Sequence, residues 1–253
     1  MKLLKKDLKD FLEEKYDKYN RPDFISSDPI SIPHQFSIKE DIEIAGLLAA
    51  TIAWGQRITI INNANKLMKL MGNAPYDFIM SATEKDLKRF EGFVHRTFNS
   101  TDLVFFLRSL RNVYKKHGGL ENIFDKKDCS DAIMNFRTVF FSIDHLSRSR
   151  KHVSNPSENS SAKRLCMYLR WMVRKDERGV DFGIWNSQLL PSQLMCPLDV
   201  HSGNVARKLG ILKRSQNDWK AVEELTATLR TFDATDPVKY DFSLFGLGVF
   251  EKF

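Results

Sequence analysis

Two segments carry residue types that could do chemistry. In Asn159-Ser160-Ser161-Ala162-Lys163-Arg164, small polar residues run directly into a helical pattern whose second residue is Lys163. The first N–H groups of a helix lack intrahelical acceptors and attract anions, so this start could hold a phosphate, with Lys163 beside it. A lysine in a first turn opposes the helix dipole, which makes its placement informative. In Cys196-Pro197-Leu198-Asp199-Val200-His201-Ser202, Asp199 opens a short helix. Val200, Asn204, Arg207 and Lys208 follow at helical intervals, and Gly210 is the stop. An aspartate there is accounted for by capping alone. The same carboxylate can also stabilise developing positive charge or move a proton, and the two roles are compatible. His201 as a structural histidine, Trp171 as core, and Gln56-Arg57 as a polar helix end are the ordinary roles of those residues. Their order along one basic chain is what favours nucleic acid.

The elements that must position these residues read as helices. Leu4, Leu8, Phe11, Leu12 and Tyr16 give an amphipathic first helix, followed by a Pro- and Ser-containing connector from Asn20 to Gln35. Ser37-Ile38-Lys39-Glu40 has the form of a capping box. It opens a helix from Ile42 to Ala53 that is apolar on nearly every side and therefore central. After Trp54-Gly55-Gln56-Arg57, helices are expected over Ile58–Met71, Tyr76–Met80, Lys85–Phe90, Asp102–Lys116 and Ser130–Phe141. A basic Ser-rich loop follows from Ser142 to Ser161, including Arg148, Arg150 and Lys151. Helix resumes from Ala162 to about Arg174, then, after an irregular stretch, from Asp199 to Gly210 and around Trp219–Leu229. Asp236-Pro237 is the cap and first position of a last helix. No segment alternates β-branched residues, so the fold class is all-α.

Composition agrees. The chain has 253 residues, 42% hydrophobic and 28% charged, with 39 basic against 32 acidic residues, a net +7. That is long enough for a real core and excludes disordered and fibrous classes. The basic excess favours an anionic partner. Cys129, Cys166 and Cys196 are odd in number and far apart, which argues against a disulfide framework, a zinc ribbon or a four-cysteine cluster. Charges interrupt every apolar run near Met1-Lys2-Leu3-Leu4, and no stretch approaches a membrane span. A cytoplasmic monomer with no metal, no redox cofactor and no membrane contact is expected.

At these residues the chain resembles the helix-hairpin-helix DNA glycosylases. That family has roughly V-D-T-H-V, a basic helix and L-G. Here Leu198-Asp199-Val200-His201-Ser202 ends in Lys208-Leu209-Gly210. Lys163 falls at the lysine that follows the family's G-V-G hairpin, with Asn159 and Ser161 standing where glycines would be. Asp241-Phe242-Ser243-Leu244-Phe245-Gly246 is similar to the closing helix, and Gln56 to a glutamine that enters DNA. The whole chain also resembles a bacterial family without an established activity, similar in pattern to the archaeal 8-oxoguanine DNA glycosylases. Its marks are the runs Leu169–Arg174 and Pro197–His201, and the 36-residue step from Lys163 to Asp199 is closer to that archaeal branch.

The resemblance implies two helical subdomains around a cleft, residues 37–174 forming one and residues 1–36 with 175–253 the other. It implies Lys163 as nucleophile and Asp199 as its carboxylate partner. Gln56, Arg57, Asn159, Ser160, Ser161, Arg164, His201 and Arg207 would contact double-stranded DNA. The hairpin amides would hold a phosphate, optionally with a monovalent cation. The function implied is a base-excision glycosylase with abasic-site lyase activity, acting on a damaged base such as an oxidised purine. A non-catalytic DNA-binding or damage-recognition module of the same fold is the alternative. An all-α interaction protein is a second.

Overall fold

A computed structural model describes residues 5–253 and is predominantly helical. Helix α1 spans Lys5–Tyr19 and buries Leu8, Leu12, Tyr16 and Tyr19, while Leu4 lies outside the described residues. The connector that follows is folded into short 3-10 turns at Pro22–Ser27, Pro29–Ser31 and Pro33–Gln35, each opened by a proline whose fixed φ suits a first position. The central helix α2, Lys39–Thr51, is buried from Asp41 to Thr51. The expected capping box is corrected: Ile38 is the N-cap, with no side-chain cap bond, because the helix starts one residue too late for Ser37 to reach it.

Helices α3 (Arg57–Leu70), α4 (Pro75–Ser81) and α5 (Glu84–Leu87) follow, the last extended by a 3-10 turn to Phe90. Two-residue strands β1 (Val94–His95) and β2 (Phe98–Asn99) then pair antiparallel, an element too short to leave an alternating pattern. Next come α6 (Ser100–His117), α7 (Leu120–Phe124), α8 (Cys129–Phe140) and α9 (Lys163–Val173). The remaining helices are α10 (Val200–Lys208), α11 (Trp219–Arg230) and α12 (Tyr240–Val249). Asp236 does not cap α12. It precedes a 3-10 turn at Pro237–Lys239, and its carboxylate instead accepts a bond from Arg174 Nε at 2.8 Å.

Packing follows these buried faces. α2 lies against α9, where a Cβ on Gly46 would press on Met172 and Tyr168, so glycine permits the close approach. α1 packs on α12, and α12 on α10, although α1 and α12 are far apart in sequence. A Cβ on Gly246 would overlap the Tyr19 ring. The apolar side chains of both groups join one continuous core.

Buried charge ties the groups together. Arg174, 1% exposed, meets Asp176 at 2.8 Å, Asp181 at 3.0 Å and Asp236 at 2.8 Å, and donates to the Tyr16 hydroxyl at 2.8 Å. Arg170 meets Asp181 at 3.2 Å and also Asp241. The segment after α9 is held to the first group by carboxylates. Trp185 Nε1 donates to Glu43 at 2.6 Å, the Asn186 amide to Glu121 at 2.6 Å, and the Gln188 amide to Asp125 at 2.6 Å. The basic loop is likewise more than solvated surface. Ser149 and His152 are buried on Asp102, at 2.8 and 3.1 Å, and Arg148 turns to the same carboxylate at 3.2 Å. Among the described residues no helix is long and apolar enough to cross a membrane.

Candidate active site

Lys163 is the first residue of α9, and the hairpin before it sets its direction. Asn159 (φ 62°) and Ala162 (φ 46°) adopt the left-handed conformation, whereas Ser161 does not. Asparagine tolerates that region, while a residue such as alanine has a steric cost of about 1–2 kcal/mol there. The hairpin amides are largely committed inside the protein. Asn159 N–H donates to Pro156 O at 2.9 Å, Ser160 N–H to Asn155 O at 3.1 Å, and Ala162 N–H to Ser160 Oγ at 3.3 Å. The phosphate cradle expected from Asn159 to Ala162 is therefore corrected: Ser161 is left of the four.

The carbonyl groups of Asn155, Pro156, Asn159 and Ala162 also accept amides, that of Asn159 from Trp219 at 3.3 Å. Asn159 and Ser160 face the start of α11, where Asn159 Nδ2 donates to Asp218 at 3.0 Å and Ser160 pairs with Asp218.

Asp199 is the N-cap of α10, and its two oxygens divide the work. Oδ1 accepts the His201 and Ser202 amides at 2.8 and 3.0 Å, while Oδ2 stands 3.3 Å from Lys163 Nζ. The cap thus holds the carboxylate rigidly toward the amine. Burial pushes this carboxyl up, but Lys163 and the Ser202 amide pull it down further, and it ends below the usual carboxylate range. It is ionised at neutral pH, which suits electrostatic stabilisation of positive charge better than acid catalysis.

The pair lies on a cavity of about 850 Å³ formed by distant parts of the chain. Trp54 and Arg57 come from the α2–α3 turn, Met167 and Arg170 from α9, and Asp241, Phe242 and Phe245 from α12, with Asp28 from the connector. The cavity is within the range of small-ligand sites. Two of its carboxylates, Asp28 and Asp241, are buried. Burial raises the Asp28 carboxyl, against the pull of its Ile30 amide bond and of Arg170. Burial pushes Asp241 up to about 6, again against Arg170.

The remaining expected residues divide. Arg57, Ser161, Arg164 and His201 line the cavity with the pair. Gln56 is the exposed N-cap of α3 and does not line it. Arg207 does not line the cavity: its guanidinium donates to Arg214 O at 2.7 Å, Gln216 O at 3.2 Å and Asn217 Oδ1 at 2.6 Å, bracing the loop after α10. Arg164 is chiefly a pin. It donates to the Thr51 and His152 carbonyls and lies 4.6 Å over the Trp54 ring, with burial pulling its pKa down to about 10. Asp28, Met167, Arg170, Asp241 and Phe245 were not singled out from sequence. One available signal was Arg170 and Arg174 four apart in an otherwise apolar helix.

The site is thus an amine held against an ionised carboxylate at the wall of a half-open cavity, in a predominantly helical frame. The chain belongs to the DUF2400 family, whose model carries the description "Protein of unknown function" and matches residues 28–250. No curated protein and no solved structure matches it.

Proposed function

We propose that this chain is a DNA base-excision glycosylase with abasic-site lyase chemistry, acting on a damaged base such as an oxidised purine. The observation that carries the reading is the 3.3 Å approach of Lys163 Nζ to Asp199 Oδ2 at the cavity wall. A stacked base hides C1′ of its sugar, so the nucleotide must leave the duplex and enter a pocket. The Lys163 amine, once it has given up a proton, attacks C1′ as the bond to the base breaks. The bonding pair leaves with the base, which takes up a proton. Asp199 stabilises the positive charge that develops on the sugar. Opening of the sugar ring, with proton transfer to its ring oxygen, leaves a Schiff base on Lys163. Loss of a C2′ proton then expels the 3′ phosphate. Asp28 is suited to hydrogen-bond the edge of the flipped base, and Phe245 and Trp54 to stack on a ring.

One observation favours a second reading, a damage-recognition module without chemistry: three of the four hairpin amides that would grip a phosphate are bonded within the protein. Borohydride trapping on a duplex with one abasic site separates the two. The glycosylase–lyase gives a covalent protein–DNA adduct. A protein that retards the duplex yet gives no adduct is the module.

A further inference from the structure

Arg57 stands out among the cavity residues because its guanidinium has no hydrogen bond or ion pair among the described residues. It is half-buried, and it lies over two aromatic rings, 5.0 Å from the centre of Phe245 and 5.5 Å from that of Phe250. Phe245 itself lines the cavity, with Phe24 edge-on at 5.9 Å and Phe250 edge-on at 6.2 Å. A guanidinium is planar and stacks on aromatic rings much as a heterocycle does. Arg57 therefore covers aromatic surface that a flat ligand in this cavity would use. Its N–H fork also remains available for an anion at the cavity mouth.

We infer that Arg57 is a gate. It competes with a planar base for Phe245, and on displacement it pairs with a backbone phosphate of the strand that delivered the base. The inference rests on the proposed base-excision reading for the identity of the phosphate, but not for the competition itself. Among the other cations on the cavity, Lys252 is also unpaired among the described residues but lies over no ring there, and the rest are otherwise placed. Lys163 faces Asp199, Arg164 is bonded to two carbonyls, and Arg170 is held by Asp181 and Asp241. None of them is both unpaired and stacked.

The test uses the full chain and two probes: free 2-aminopurine, whose fluorescence falls on stacking, and a labelled duplex with a tetrahydrofuran abasic site. Arg57→Ala uncovers Phe245 and should bind 2-aminopurine about fivefold more tightly, the size expected for one cation–π contact. It should bind the duplex about fivefold more weakly, with the salt slope reduced by about one phosphate contact. Arg57→Lys keeps the charge without the flat stacking surface, so it should retain duplex binding while still gaining some base affinity. Unchanged or weakened 2-aminopurine binding in Arg57→Ala overturns the gate. If 2-aminopurine tightens as expected but neither parent nor variant binds the duplex, the gate stands and the DNA reading fails.

Discussion

Helix α9 meets carboxylates at both ends, on opposite terms. At its start Lys163 faces Asp199 alone, with 27% and 23% of the two side chains exposed. Two turns on, Arg170 and Arg174 are enclosed by Asp176, Asp181, Asp236 and Asp241, and Tyr16 completes the set. A single, partly exposed pair adds about 0–1 kcal/mol to stability. A buried network holds shape, because removing one member strands the others in a dry interior. One helix therefore has an end that can exchange partners and an end that cannot, and the fixed end aims the free one.

The comparison breaks first under Arg174→Met. That change leaves buried aspartates uncompensated and should cost about 3–5 kcal/mol, read as a large fall in the urea midpoint. If the midpoint barely moves, the network is not what holds the helix groups together.

The second effect is titration. Asp241 is raised to about 6 in the folded protein, so the native state binds the extra proton between its unfolded value near 4 and about 6. This contribution to stability is present at the acid end and falls as pH rises through that window, by up to about 3 kcal/mol. Asp199, lowered by Lys163, has the opposite sign: its contribution is present above the ordinary carboxylate range and is lost as pH falls. Stability against pH for Asp241→Asn should lack the decline between pH 4 and 6. An unchanged profile would assign the slope elsewhere.

Lys163→Gln should shift stability by no more than about 1 kcal/mol, since only an exposed pair is lost. It should also abolish borohydride trapping. Trapping at parental level in this variant would place the nucleophile on another amine. Asp199→Asn is comparably mild, because asparagine caps about as well as aspartate, and what goes is the dipole interaction of about 0.3–1 kcal/mol together with the partly exposed pair with Lys163. Base removal should slow, while trapping on a pre-formed abasic site persists. Equal loss of both activities would mean that Asp199 serves Lys163 itself rather than base departure.

The free end of α9 was far more legible than the fixed end. Helix starts carry local signals, so Asp199 as cap and Lys163 in a first turn could be read directly, and their relation came from a family resemblance. Asp28, Arg170 and Asp241 have no such signal, because three distant segments bring them to one cavity. The failures are local too. Ser37 and Asp236 have the residue type of a cap but sit one step and one 3-10 turn away from the helices they should open. The β1–β2 pair and α7 are shorter than any period a sequence can display.

The interlock of α1 with α12 bears on how the molecule is made. Glu13 accepts a bond from the Tyr240 hydroxyl across 227 residues, and Gly246 sits flush against Tyr19. Residues 5–19 are translated well before residues 240–249, and the α12 face they pack on emerges only with the latter. Until then the apolar stripe of α1 lacks its α12 partner, while the α2–α9 group can already condense. Contacts of such sequence separation slow folding and prolong exposure of sticky surface. The α10 and α12 walls of the cavity, which bear Asp199 and Phe245, are therefore put in place only after the α2–α9 wall opposite them.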